Sequence, residues 1–457
     1  MVFEEWSTPP VSKGSTVISK YLCLALRAVC RWGEGSCRHP PPFMHRHQTG
    51  LWLVRNACLL ADSILNRLVD LIPSWLSGYL RWCPTSPEQL EQAEKTLLKY
   101  VKNTYSTRYV PIQAVRGCSG QHHIWSLEMK PPGTASEKLP LVMVHGFASG
   151  LALWVLNLDE LSRDRPVYCF DLLGFGRSSR PTFSSDAIEV EQQFVESIEN
   201  WRKSVGLERF ILLGHSMGGF LASAYALLHP SHVAHLVLAD PWGFPERHLP
   251  SNKTLQLPAW VKAVSTVLRP FNPLAGLRAA GPLGPRLVEK VRPDIQKKYE
   301  HVITNPEIIS SYIYHCNAQT PSGEAAFKAM STQFGWAKHP MVNRILDLHK
   351  GVPMTFIYGS RSWIDKQPGI HVQRLREDSD VDIEILDGAG HHVYADRPDL
   401  FNDVVSGICR SVDDFENVGH LPARRSSWLQ GTAQGCVDLE DEKSIPASMS
   451  FASENPW

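Results

Sequence analysis

From about residue 109 onward, short apolar runs alternate with longer amphipathic stretches, and few folds accept that rhythm. Residues 139–144 are largely apolar and end at His145-Gly146. Residues 167–170 end at Asp171, 210–213 at Gly214, 233–238 at Ala239-Asp240, and 354–358 at Gly359. Near-continuous apolar runs are what a strand buried on both faces requires, and the helical stretches 188–205 and 220–228 supply crossovers between them. Residues 123–129 alternate like a half-buried strand. The pattern predicts an α/β fold with a mostly parallel sheet flanked by helices. It breaks between residues 241 and 352, where Pro250, Pro270, Pro273, Pro282 and Pro285 punctuate helical pieces. That stretch reads as a helical cap inserted over the carboxyl edge of the sheet, where active sites of such sheets lie.

Gly214-His215-Ser216-Met217-Gly218-Gly219 follows one apolar run and opens a helix. This is G-x-S-x-G, the elbow that lifts a serine hydroxyl above the sheet. Gly214 and Gly218 keep side chains out of the tight crossing, and the new helix points free N–H groups at the reacting centre. The five-residue pattern alone arises by chance in roughly one chain in six of this length. Its strand before and helix after raise it well above chance.

Ser216 is therefore the expected nucleophile. Phe147, in the His145-Gly146-Phe147 turn, and Met217 would present their N–H groups as an oxyanion hole. His391, after Gly388-Ala389-Gly390, stands where the chain order serine, acid, histidine places the base, ahead of its neighbour His392. The acid must lie between Ser216 and His391. Asp365, on the loop after residues 354–358, takes first place; Asp240 is the runner-up, and Asp171 precedes the serine and fits poorly. His391 to Asp396 also reads H-x-x-x-x-D, a pattern associated with acyltransferases. About one such match is expected per chain, and His235 to Asp240 is another, so the pattern has little weight.

Several function classes fall away. With 46 Lys+Arg against 46 Asp+Glu, the chain has no overall basic field for nucleic acid. No HExxH, no metal-spaced His/Cys cluster, no P-loop and no complete dinucleotide fingerprint is present, so neither metal nor cofactor is expected. The ten cysteines are scattered, which predicts reduced thiols in a cytosol-facing protein; Cys23 and Cys30 read as idle thiols. Glu4 and Glu5 follow Met1 where a signal peptide would be basic, and charges interrupt every long apolar stretch, so neither a secretory signal nor a membrane-spanning helix is expected.

The ends differ from the middle. Residues 1–108 hold Trp6, Trp32, Trp52, Trp75 and Trp82, five of the 14 tryptophans. The periodicity of residues 51–72 predicts an amphipathic helix, followed by Trp75, Tyr79, Arg81 and Trp82. Helical periodicity alone suits packing on the protein's own core; the aromatic residues beside arginine suit a membrane–water interface equally. We expect this region to associate with membranes. A second helix starts near Pro87, capped by Ser86 with Gln89 completing a capping box. The hydrolytic core is expected over 109–240 and 353–414, the cap over 241–352, and a mobile polar tail over 415–457.

The segments LLGHSMGG, DLLGFGRSSRP, ADPWGFPER, YIYHCNAQTPSGE, GWAKHPM, FIYGSRSWID and GAGHHVYAD, together with RWCPTSPEQL, resemble α/β-hydrolase domain-containing proteins four and five over residues 75–414. The resemblance implies the α/β-hydrolase fold and lipid metabolism at lipid droplets or the endoplasmic reticulum membrane, with mitochondria a further site. The member-four type is a serine lysophospholipase of N-acyl phosphatidylethanolamines. The member-five type carries asparagine at the nucleophile position, coactivates a triglyceride lipase and has been assigned lysophosphatidic acid acyltransferase activity. With Ser216 at that position, the resemblance implies a serine lipid hydrolase with acyl transfer as a second activity. Its alternative is a non-catalytic lipid-droplet scaffold whose partner is a triglyceride lipase or a droplet coat protein.

Overall fold

The computed structural model describes residues 83–131, 138–246, 272, 274–305, 307–332 and 335–418. The amphipathic segment with Trp52, Trp75 and Trp82, the thiols of Cys23 and Cys30, and the tail beyond residue 418 lie outside the described residues.

Among the described residues eight strands form one sheet: β1 (Tyr105–Ile112), β2 (His122–Met129), β3 (Leu141–Val144), β4 (Val167–Phe170), β5 (Phe210–His215), β6 (Val233–Ala239), β9 (Met354–Gly359) and β10 (Val381–Leu386). Two residues each of β7 (Ser331–Thr332) and β8 (Trp336–Ala337) pair separately. The spatial order is β1-β2-β4-β3-β5-β6-β9-β10. The β1–β2 and β2–β4 pairings are antiparallel and all others in this sheet parallel, as the apolar runs predict.

Because side chains alternate along a strand, each central strand feeds two cores. Val142, Val144, Leu212, Leu236 and Phe356 pack with Phe194, Ile198 and Trp201 of the helix Ala187–Val205 and with Phe220 and Leu221 of Met217–Leu228. Leu141, Met143, Ile211, Leu213, Val237 and Ile357 face the other way, toward Trp154 and toward Phe401, Val405 and Ile408 of Pro398–Val418. The helix Ala187–Val205 starts at Asp186, whose carboxylate accepts the N–H groups of Ile188 and Glu189, and stops at Gly206 with φ 76°. All four residues of β3 are fully buried, and at about 1.5–3 kcal/mol per large apolar side chain such strands dominate the stabilisation.

Two boundaries move. The helix Pro87–Leu98, capped by Ser86 Oγ on the Gln89 N–H as expected, belongs to the hydrolase body rather than to a separate N-terminal region. Leu90, Leu97 and Leu98 enter the second core, and Glu94 pairs with Arg177 at 2.9 Å, whose guanidinium lies 3.6 Å over the Trp125 ring. The sheet begins at Tyr105, and Pro398–Val418 continues past the point where a mobile tail was expected.

Between β6 and β9 the described residues are mostly helical, including Gly284–Val291, Pro293–Tyr299, Glu307–Asn317 and Ser322–Met330. They cover the carboxyl ends of the strands: Phe327 stacks on Phe147 at 4.3 Å, and Asn317 Nδ2 donates to the Ala148 carbonyl at 2.8 Å. Among the described residues no helix is long and apolar enough to cross a membrane.

Candidate active site

The elbow is built as its glycines require. Ser216 has φ 53° and ψ −119°, an unusual conformation for a residue with a side chain. Such a conformation costs on the order of 1–3 kcal/mol and persists only where its surroundings hold it. Here the Ser216 N–H donates to Ala239 O at 3.0 Å, and its carbonyl accepts from Gly219 N at 2.9 Å and Trp242 N at 3.1 Å. A Cβ on Gly218 would sit 2.5 Å from the carbonyl oxygens of Val144 and His145, and one on Gly214 would overlap the Gly218 backbone. Only glycine lets strand, turn and helix cross this closely.

His391 lies on the loop after β10. Its Nε2 is 3.0 Å from Ser216 Oγ, and its Nδ1 is 2.5 Å from Asp240 Oδ2. With Nδ1–H donating to the carboxylate, Nε2 is left to accept the serine proton. Asp240 is fully buried and directly follows β6. The β5–β6 register sets His215 against Ala239, so the next residues, Ser216 and Asp240, emerge side by side.

The acid expected from the sequence, Asp365, is not at the site. Its carboxylate accepts the Gln367 N–H at 2.9 Å, two residues on, and the residue is exposed on its own loop. The physical reason is occupancy: Asp240, the first residue after β6, already holds His391 Nδ1, and the β9 loop meets that carboxylate with the Ser362 hydroxyl while Asp365 turns to its own loop's backbone. The runner-up of the sequence analysis takes the position facing His391. Chain order permitted both; the strand pairing that distinguishes them is non-local.

Met217 directly follows Ser216, and Phe147 follows Gly146 in the neighbouring turn. Met217 opens the helix Met217–Leu228; the Gly219 and Phe220 N–H groups donate back to the Ser216 carbonyl, whereas the Met217 N–H precedes the first turn's hydrogen bonds. A Cβ on Gly146 would lie 3.1 Å from the Ser216 Cβ, so the turn carrying Phe147 passes directly against the elbow. That turn is pinned by His145, whose Nε2 accepts the Leu172 N–H at 2.9 Å while Nδ1 donates to Gly146 O at 2.8 Å. Asp171 is buried and accepts Leu151 N at 2.8 Å and Arg177 N at 2.7 Å, so both groups serve the loops. Sequence reasoning missed His215, whose Nε2 donates to the His391 carbonyl at 2.9 Å and ties the base's loop to the elbow strand.

Burial, reinforced by the Lys298 and Arg292 cations of the helical segment above, holds the His391 imidazole below its usual range, and Asp396 opposes them. Burial pushes the Asp240 carboxyl up, while the Ser362 hydroxyl and the Gly359 N–H stabilise its charge. Lys298 Nζ stands 3.5 Å from His392 Nδ1 and 3.2 Å from Asp396. A base with a depressed pKa stays unprotonated further into acid, so the acid limb of kcat/KM should fall below the ordinary 6.5. In Lys298→Gln the lost cation should move that limb upward, while burial still holds it below the ordinary value and activity on a soluble ester at pH 8 is unchanged. An unmoved pH profile would contradict this electrostatic account.

Serine, imidazole and carboxylate thus converge from the ends of β5, β10 and β6, the arrangement of serine hydrolases of the α/β class. The chain belongs to the alpha/beta hydrolase fold family, whose sequence profile matches residues 140–398. A mouse protein named 1-acylglycerol-3-phosphate O-acyltransferase ABHD5 is 52% identical over 329 residues, covering 72% of this chain and 91% of the relative. A bovine (lyso)-N-acylphosphatidylethanolamine lipase is 51% identical over 341 residues, covering 74% and 97%. These are the two kinds of protein that the sequence segments resemble. Among solved structures, carboxylesterase CesB of Bacillus subtilis aligns with TM-score 0.49 at 18% identity, over 71% of this chain and 98% of that one.

Proposed function

We propose that the chain is a serine hydrolase of phospholipid acyl esters, acting on substrates such as N-acyl phosphatidylethanolamines and their lyso forms, with acyl transfer to lysophosphatidic acid as a second outcome. The observation that carries this reading is the 3.0 Å contact between Ser216 Oγ and His391 Nε2, with Asp240 behind the imidazole. His391 takes the serine proton as Oγ attacks the ester carbonyl; the N–H groups of Phe147 and Met217 receive the developing oxyanion. The leaving alcohol takes its proton from His391. Water, activated by the same imidazole, then frees the fatty acid; an acceptor hydroxyl in its place yields acyl transfer. The named relatives are a lipase and an acyltransferase, which favours an enzyme over a non-catalytic scaffold.

The helical insertion supplies a cap over the serine, and the sequence before residue 83 is rich in tryptophan, a composition suited to a membrane–water interface. Together they fit peripheral work on lipid droplets or the endoplasmic reticulum membrane, beside a triglyceride lipase or a droplet coat protein. Vesicles containing lyso-N-acyl phosphatidylethanolamine test the substrate class. Purified protein should release free fatty acid, and adding lysophosphatidic acid should divert part of the acyl group into phosphatidic acid. Folded protein that cleaves a short soluble ester but neither hydrolyses nor transfers from the phospholipid would overturn the lipid assignment.

A further inference from the structure

We propose that Ser362 is the positioning residue for the buried acid, its hydroxyl setting which carboxylate oxygen of Asp240 faces His391; this rests on the reading of Asp240 as the acid. Asp240 Oδ2 receives two short contacts, from His391 Nδ1 at 2.5 Å and from Ser362 Oγ at 2.5 Å. Among the described residues, Oδ1 has the longer 3.4 Å contact from the Gly359 N–H. The terminal torsion of an aspartate is broad and roughly two-fold, so its donors must fix the carboxylate plane. Ser362 can donate one hydrogen bond, and its direction is set locally: the Ile364 N–H occupies an Oγ lone pair at 3.1 Å, leaving the hydroxyl proton for Asp240.

The loop bearing Ser362 is tied to the loop bearing His391. Arg361 N donates to Ala389 O at 2.9 Å, and Arg361 Nε donates to Gly388 O at 3.0 Å. Asp365, at the far end of the same loop, secures it through the Gln367 N–H. The loop from which the sequence analysis expected a carboxylate thus contributes a hydroxyl to the carboxylate of a neighbouring strand. This hydroxyl has a second effect. By sharing the negative charge on Oδ2 it limits how strongly the carboxylate stabilises a protonated His391. The other groups near the pair are Tyr358 behind Asp240, and His215, His392, Lys298, Arg292 and Asp396 around it; none of them donates to Oδ2 among the contacts described.

The test compares Ser362→Ala, Ser362→Thr and Ser362→Cys in the full chain, with kcat, KM and the pH profile read on a short soluble ester. Ser362→Ala should lower kcat about 10- to 100-fold, the loss of one hydrogen bond to a charged group, with KM changed less than about twofold. The acid limb of kcat/KM should also move upward, because the unshared carboxylate binds the imidazolium more tightly. Ser362→Thr, which keeps the hydroxyl, should retain most of kcat and the original limb. Ser362→Cys keeps the volume but donates weakly, and should reproduce the alanine kinetics should the alanine variant fail to fold. Wild-type kcat and pH profile in Ser362→Ala or Ser362→Cys, beside an inactive Asp240→Asn, would overturn the positioning role alone. An active Asp240→Asn would overturn the acid assignment and the positioning role with it.

Discussion

Ser216→Ala should reduce turnover of a soluble ester by about 10⁵- to 10⁶-fold while leaving the protein folded. The size of the loss follows from the unit the serine belongs to. Without Oγ there is no covalent step to split the reaction, and the correctly oriented His391–Asp240 pair has no proton to take. Residual activity comes from substrate binding and the oxyanion hole. Folding should survive because the elbow depends on backbone bonds, Ser216 N to Ala239 O and Gly219 N to Ser216 O, rather than on the hydroxyl. Alanine tolerates φ 53° about as well as serine, so strain changes little. Steady-state kinetics with circular dichroism as the folding control checks this. Activity within tenfold of wild type would require another nucleophile.

Asp240→Asn should lower kcat by about 10⁴-fold, and Asp365→Asn by less than about twofold. The asparagine amide can donate where the carboxylate only accepts, so it can meet His391 Nδ1 as an acceptor of the wrong tautomer, leaving the proton on Nε2 where Ser216 needs a base. Nor can it stabilise the imidazolium formed during attack. Asp365, by contrast, bonds a backbone N–H two residues on, an interaction that an asparagine side chain reproduces. A stopped assay in the pair of variants distinguishes the two carboxylates; loss of activity in Asp365→Asn alone would return the acid to the β9 loop.

The boundary between what could and could not be read from residues follows locality. Strands β3, β4, β5, β6 and β9 are buried on both faces, so each left a largely apolar run, interrupted only by His235 in β6 and Thr355 in β9, that ends in glycine, histidine or aspartate. Strand β10, Val381–Leu386, lies at the sheet edge, and its Asp382 and Glu384 break the apolar signature; β1, at the opposite edge, carries Arg108 and exposed Tyr109. Both escaped a search for buried runs. Ser216 and His391, which meet at 3.0 Å, were legible because each sits beside a strand end or a glycine turn whose geometry its neighbours dictate. The acid was not, since the choice between Asp240 and Asp365 depends on β5 lying beside β6 in a register that no local pattern encodes. The same non-local pairing hid Ser362 and Lys298, which meet the site from the β9 loop and from the helix Pro293–Tyr299.

The most direct test of a catalytic Ser216 is reaction of the folded, full-length protein with a fluorophosphonate, followed by mass spectrometry of its peptides. The account predicts a single phosphonylated serine in the peptide containing Gly214-His215-Ser216-Met217-Gly218, formed faster than on free serine and absent from Ser216→Ala and strongly slowed in Asp240→Asn. Folded protein that gains no adduct, or gains it equally in Ser216→Ala, would contradict the account.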